Sequence, residues 1–198
     1  LKTYVASKNA EKLRELRQLF AGSPLELDSY DGYADVAEDA TSYIGNAMLK
    51  ARALHRQLTE AGIEGAVIAD DSGLEVDALG GRPGLYSARY AGADASWTQR
   101  RGTLLEEMEG VADPGRTARF VCVIGLIGAN GEPRAAVGTV EGHIAMREIG
   151  ENGFGYDPIF FYKPLKRTFA ELTAEEKNAV SHRGRAADAL LSSLRSDA

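Results

Sequence analysis

The run Val67-Ile68-Ala69-Asp70-Asp71-Ser72-Gly73-Leu74-Glu75-Val76 places two carboxylates side by side at the end of an apolar, strand-like segment. A Ser-Gly turn and a second strand are expected to follow them. Adjacent carboxylates repel one another, so a fold that brings them together must offset the repulsion. A divalent cation does this, and hard oxygen ligands suit Mg2+, which in turn suits phosphates. A solvated acidic turn is the plain alternative for the same residues, so the choice rests on what else the chain supplies.

Four further clusters bear on that choice. Ser7-Lys8-Asn9-Ala10-Glu11-Lys12 stands where a short strand gives way to a helix. The unpaired N–H groups and positive dipole end of a helix start make a seat for phosphate. Lys12 would add a charge there and Asn9 a neutral hydrogen bond; capping by Ser7 or Asn9, with Lys12 solvated, is the alternative. The segment is neither a Walker loop nor a Gly-x-Gly-x-x-Gly fingerprint. Asn46 and Lys50, four apart on a helix, share a face just after Glu38 and Asp39. Gly153-Phe154-Gly155-Tyr156-Asp157-Pro158 joins close backbone approach, aromatic faces and a carboxylate suited to a ring N–H; a structural turn reads equally well. Lys177-Asn178-Ala179-Val180-Ser181-His182-Arg183 gathers three basic side chains, and His182 beside Arg183 is unusual for a plain surface helix.

The elements that must hold these residues follow from periodicity. A helix with Leu13, Leu16, Leu19 and Phe20 on one face follows the strand Thr3-Tyr4-Val5-Ala6. Ile44, Ala47, Met48, Ala51, Leu54 and Leu58 mark a second helix, capped by Thr41 or Ser42. Strands near 66–69 and 74–77 flank the aspartates, and a third helix spans 96–108. Two β-rich runs, 116–128 and 134–142, meet at Asn130-Gly131, a strong hairpin signal. Thr173 to Glu176 opens a helix running towards Leu194, with Gly184 as a point of interruption. This order indicates an α/β fold on a mixed sheet.

Composition narrows the function classes. A chain of 198 residues suits one domain and buries about 70% of its unfolded surface, with no need of disulfides. The single cysteine, Cys122, sits in an apolar run and reads as a core thiol in a reducing compartment. No apolar stretch approaches a membrane span, and no signal peptide precedes Leu1, so a cytoplasmic protein with no membrane partner is expected. A net charge of −6 argues against polynucleotide binding but not against one nucleotide.

Taken with Gly80-Gly81-Arg82-Pro83-Gly84-Leu85-Tyr86-Ser87-Ala88-Arg89-Tyr90 and Glu171-Leu172-Thr173, these segments resemble the inosine triphosphate pyrophosphatase family. They occur in the family's order over nearly the whole chain. The resemblance implies an elongated mixed sheet flanked by helices, residues 1–198 forming one domain of two lobes with a central substrate cleft, and a homodimer. It implies hydrolysis of noncanonical purine nucleoside triphosphates, ITP, dITP, XTP and dXTP, to the monophosphate and pyrophosphate. It assigns Ser7, Lys8, Asn9, Ala10, Glu11 and Lys12 to the triphosphate, and Asp71 to metal binding and proton acceptance. Glu38 becomes the second Mg2+ carboxylate, with Asp39 possible beside it. Lys50 is assigned to phosphate and Ser72 to substrate. Phe154, Gly155, Tyr156, Asp157, Lys177, His182 and Arg183 are assigned to the base pocket. The family often carries Glu where this chain has Gly45, a departure that bears on helix stability.

In the expected mechanism Asp71, or its neighbour Asp70, takes a proton from water while Lys12, Lys50 and helix amides clamp the triphosphate. Donors from Lys177, His182 or Arg183 at O6, with Asp157 accepting from N1–H, would favour a 6-oxo purine over adenine. The alternatives are a Maf-like pyrophosphatase of other nucleotides and a nucleotide-binding protein without turnover.

Overall fold

The computed structural model describes residues 1–196. Its elements, in chain order, are β1 (Lys2–Val5), α1 (Ala10–Leu19), β2 (Glu26–Ser29), α2 (Tyr43–Glu60), β3 (Ala66–Val76), α3 (Trp97–Glu107), β4 (Thr117–Ile127), β5 (Pro133–Ile144), β6 (Phe160–Tyr162), β7 (Arg167–Thr168), α4 (Ala174–Val180) and α5 (His182–Ser196). The strands form one sheet in the order β2-β1-β3-β4-β5-β6-β7. β1 pairs in parallel with both β2 and β3, whereas β5, β6 and β7 pair antiparallel, so the sheet is mixed as expected. Two compact units divide the chain: residues 1–71, 122–138 and 182 onward form the first, and residues 72–121 and 139–181 the second.

In the first unit, strand alternation sorts the core into two layers. Val5, Ala66, Ile68, Cys122 and Ile124 face one way and pack with Leu16 and Phe20 of α1 and Ala186, Ala187, Leu190 and Leu191 of α5. Tyr4, Ala6, Val67 and Ala69 face the other way and pack with Met48, Ala51, Leu54 and Leu58 of α2. A strand buried on both sides reads as a continuous apolar run, which is what 66–69 shows. The second unit has its own core, where Phe120, Phe160 and Phe169 cluster beside Leu74, Leu104 and Met108.

Three expectations are corrected. The aspartate pair does not end a strand: β3 runs unbroken through Asp70, Asp71, Ser72 and Gly73 to Val76. Strand pairing persists because both carboxylates have counter-charges, given below, so no turn is needed to expose them. The final helix breaks at Ser181, which is extended, and Gly184 lies inside α5. The break turns the chain one residue before His182. β2 was not expected, because Glu26-Leu27-Asp28-Ser29 is an exposed edge strand with little apolar signal. The α2 cap is Ser42, whose hydroxyl accepts from the Gly45 N–H at 3.1 Å.

α5 lies directly on the backbone of β5. A Cβ placed on Gly138 would collide with the His182 carbonyl oxygen and the Ala186 nitrogen, both backbone atoms that cannot rotate aside. Gly138→Ala should therefore destabilise the protein by at least about 1–3 kcal/mol in urea unfolding; wild-type stability in that variant would contradict this packing.

Candidate active site

β3 resolves the repulsion between Asp70 and Asp71 by its pleat. Successive side chains of a strand point to opposite faces, so Asp70 continues the row of Ala66 and Ile68 while Asp71 continues the row of Val67 and Ala69. Each carboxylate then meets cations supplied by the helices on its own face.

On the α2 face, Lys50 Nζ lies 3.2 Å from Asp71 Oδ1 and 3.1 Å from Glu38 Oε1. Asn46, one turn earlier, donates from Nδ2 to Asp71 Oδ2 at 3.2 Å. Lys50, Asn46 and Asp71 are buried and Glu38 is half-buried, while Asp39 is exposed. Glu38 is thus the carboxylate that joins Asp71. Burial raises the Asp71 carboxyl above its ordinary value; Lys50 and Lys12 pull it back, and Glu38 pushes it further up. Burial works against the Lys50 charge, but Asp71, Asp70 and Glu38 outweigh it and hold the ammonium above the usual lysine range.

On the opposite face, Asp70 is enclosed by Lys12 of α1, at 3.1 Å, and Arg183 of α5, whose Nη2 and Nε lie 2.9 and 3.2 Å from Oδ2. Arg183 also donates to Glu15 of α1. Burial disfavours the guanidinium charge, yet Asp70 and Glu15 more than restore it. Arg183 is therefore placed on two carboxylates of its own unit.

The start of α1 follows the capping alternative. Asn9 Oδ1 accepts from the Glu11 and Lys12 N–H groups at 3.0 and 3.1 Å, and the Asn9 N–H donates to Ser7 Oγ at 3.1 Å. The helix amides at Glu11 and Lys12 are thus taken, and a phosphate here would be met by side-chain charge beside exposed Ala10. Lys8, at 3.4 Å from Asp35, and Lys12 are the lysines of this segment.

In the second unit, Asp157 is buried and its Oδ2 accepts from the Phe154 N–H at 2.8 Å and from Lys177 Nζ at 2.5 Å. The Lys177 ammonium stands 4.9 Å from the Phe154 ring centre. Gly153 adopts a left-handed conformation, and a Cβ there would strike the Asp157 carboxylate. Tyr156 donates its hydroxyl to the Ser87 carbonyl at 3.0 Å and meets Trp97 edge-on. Asp157 therefore holds its own loop and Lys177. Gly155 and half-buried Phe154 lie in the same loop, and Ser72 is half-buried on β3. His182 is buried at the start of α5 in the first unit.

Two contributors were not assigned in advance. Glu15 lies one turn beyond Lys12, and its spacing was the only signal for it. Asn46 was noted for sharing a face with Lys50, but its hydrogen bond to Asp71 needs the fold. Among the described residues, no three His, Cys, Asp or Glu side chains gather as a ready-made metal cage. Two carboxylates converging on one ammonium nevertheless form a fitting oxygen set for Mg2+, which takes one or two carboxylates and fills its remaining positions with water and phosphate.

A sequence model of the Ham1 family matches residues 3–193. A dITP/XTP pyrophosphatase of Geobacillus kaustophilus is 47% identical over 186 residues, covering 92% of this chain and 88% of that protein. One from Clostridium perfringens is 42% identical over 198 residues, covering 98% and 97%. The solved structure of a HAM1 protein from Coxiella burnetii superposes with a TM-score of 0.87 at 38% identity, covering 99% of each chain.

The electrostatics can be checked without metal or substrate. In carboxyl-detected NMR titration of the metal-free protein, Asp71 should titrate above the ordinary 3.8. Lys50→Met should move it higher still, because the lysine charge favours the ionised carboxylate. A fall in that variant would contradict the pairing.

Proposed function

This chain belongs to the Ham1 family, and from that premise we propose how it hydrolyses noncanonical purine nucleoside triphosphates such as dITP and XTP to the monophosphate and pyrophosphate. The observation that supports the placement of the chemistry is the convergence of Glu38 and Asp71 on the Lys50 ammonium. One carboxylate comes from a strand and the other from a loop, and only the fold joins them.

Glu38 and Asp71 would hold a divalent cation, Mg2+ by the all-oxygen donor set, which when bound neutralises phosphate charge and polarises water. Asp71 accepts the proton of the attacking water; its raised carboxyl brings it closer to the working pH than an ordinary aspartate. The water oxygen bonds to phosphorus as the P–O bond to the departing pyrophosphate breaks. Lys50 and Lys12, with Lys8 nearer solvent, supply positive charge to the triphosphate and the leaving group. Asp70 is held by Lys12 and Arg183.

Base choice rests on Lys177. Its ammonium, fixed by Asp157 above the Phe154 ring, can donate only, which suits the O6 acceptor of a 6-oxo purine. The adenine amino group would set donor against donor. His182 and Arg183 keep the donor roles that the family resemblance assigns them.

Among the described residues no helix is long and apolar enough to cross a membrane. A homodimer, the assembly implied by the family resemblance, predicts twice the chain mass in sedimentation equilibrium.

Asp71→Asn and Glu38→Gln should each lower pyrophosphate release from dITP with Mg2+ by about 100-fold or more, with circular dichroism unchanged. Near-normal release from Asp71→Asn would sink the assignment. dITP should exceed dATP in kcat/KM, and Lys177→Met should shrink that ratio; an unchanged ratio would remove Lys177 from base choice.

A further inference from the structure

Residues 30–41 contain Glu38 but form neither helix nor strand, so some other part of the fold must fix that carboxylate against Lys50. α2 holds this loop near both ends. At one end Tyr33 is buried with Tyr4, Leu54 and Leu58. The next residue exchanges a pair of hydrogen bonds with Gln57: Oε1 accepts from the Ala34 N–H at 3.0 Å, and Nε2 donates to the Ala34 carbonyl at 2.9 Å. At the other end Asn46 Oδ1 accepts from the Ala40 N–H at 3.0 Å while its Nδ2 donates to Asp71 at 3.2 Å. The approach is close, because a Cβ on Gly45 would lie 2.7 Å from the Ala40 Cβ.

The three polar side chains share one stripe of the helix. At about 100° per residue, Lys50 and Gln57 lie only about 40° and 20° round from Asn46. A loop without secondary structure must find partners for its backbone groups elsewhere, and a side-chain amide is suited to give a donor and an acceptor at once. An apolar side chain offers neither, and a carboxylate offers only the acceptor.

We propose that Asn46 and Gln57 are positioning residues for the second metal carboxylate: two side-chain amides of α2 pin the Glu38 loop at both ends. Asn46, by holding Ala40 and Asp71 together, sets Glu38 against Asp71. This inference rests on the proposed role of Glu38 and Asp71. It places the control of metal affinity partly at Gln57, which contacts neither carboxylate in the hydrogen bonds described.

The test is Mn2+ binding by electron paramagnetic resonance on nucleotide-free protein, paired with amide hydrogen exchange at Ala34 and Ala40. Gln57→Leu should speed exchange at Ala34 and weaken Mn2+ binding about tenfold, as loss of outer support to a metal ligand does. Turnover of dITP at saturating metal should stay near wild type, so the defect appears in the metal concentration required. Gln57→Glu keeps the acceptor for the Ala34 N–H and should fall between the two, giving a readout even if the leucine variant fails to fold. Asn46→Ala should speed exchange at Ala40 and weaken Mn2+ by at least tenfold. Folded variants that bind Mn2+ within twofold of a competent wild type would overturn this inference alone. A wild type that neither binds Mn2+ nor releases pyrophosphate would overturn the functional reading beneath it.

Discussion

The pleat of β3 is the constraint on which the proposed catalytic arrangement depends. Two neighbouring aspartates in a turn would share one environment and one burden of repulsion. In a strand covered on both faces they are separated by the backbone and assigned to different helices. α1 and α5 answer Asp70 with Lys12 and Arg183; α2 answers Asp71 with Lys50 and Asn46. The two residues thereby acquire different work. Asp70 becomes part of a buried ion network that fixes α1 and α5 to the sheet. Asp71 stays in a less complete environment, where burial lifts its proton affinity and a second carboxylate stands nearby.

The division also bears on why the chemistry is proposed on α2's face. Asp70 has two cationic partners, one of them fully buried, so its charge is met before a substrate arrives. Asp71 shares one lysine with Glu38, leaving that pair more negative than its counter-charge and suited to a cation. Such incomplete compensation costs stability and is characteristic of working sites. In the second unit the balance is reversed. Asp157 satisfies Lys177 and its own loop, and what remains at the aromatic face of Phe154 is a held donor.

Much of the fold was legible because periodicity reports burial directly. The apolar stripe of α2, the Asn130-Gly131 hairpin and the capping box at Thr173 all depend on near neighbours in the chain. β2 was not, since an exposed edge strand of four residues carries little apolar pattern. The course of β3 through Asp70 to Gly73 was misread as a turn because local rules see two charges, a serine and a glycine. They do not see Lys12, Lys50 and Arg183 brought in from 20 to more than 100 residues away. Candidate residues could likewise be named while their partners could not. Arg183 and Asp157 were marked by type and position, but their commitment to Asp70, Glu15, Lys177 and the Phe154 amide exists only in three dimensions.

Separate environments for the two aspartates have a direct thermodynamic consequence in the metal-free protein. Asp70→Asn weakens the pairing of a buried guanidinium, a change of the kind that costs about 3–5 kcal/mol. Asp71→Asn removes a partner of buried Lys50 but leaves it Glu38, and removes a carboxylate whose ionised form burial disfavours, so at neutral pH it should cost less than Asp70→Asn. Urea unfolding of the two variants at pH 7 compares them most directly. Asp70→Asn should be clearly less stable than wild type, and Asp71→Asn should lose less. Equal losses in both, or a greater loss in Asp71→Asn, would contradict the separation of roles along β3.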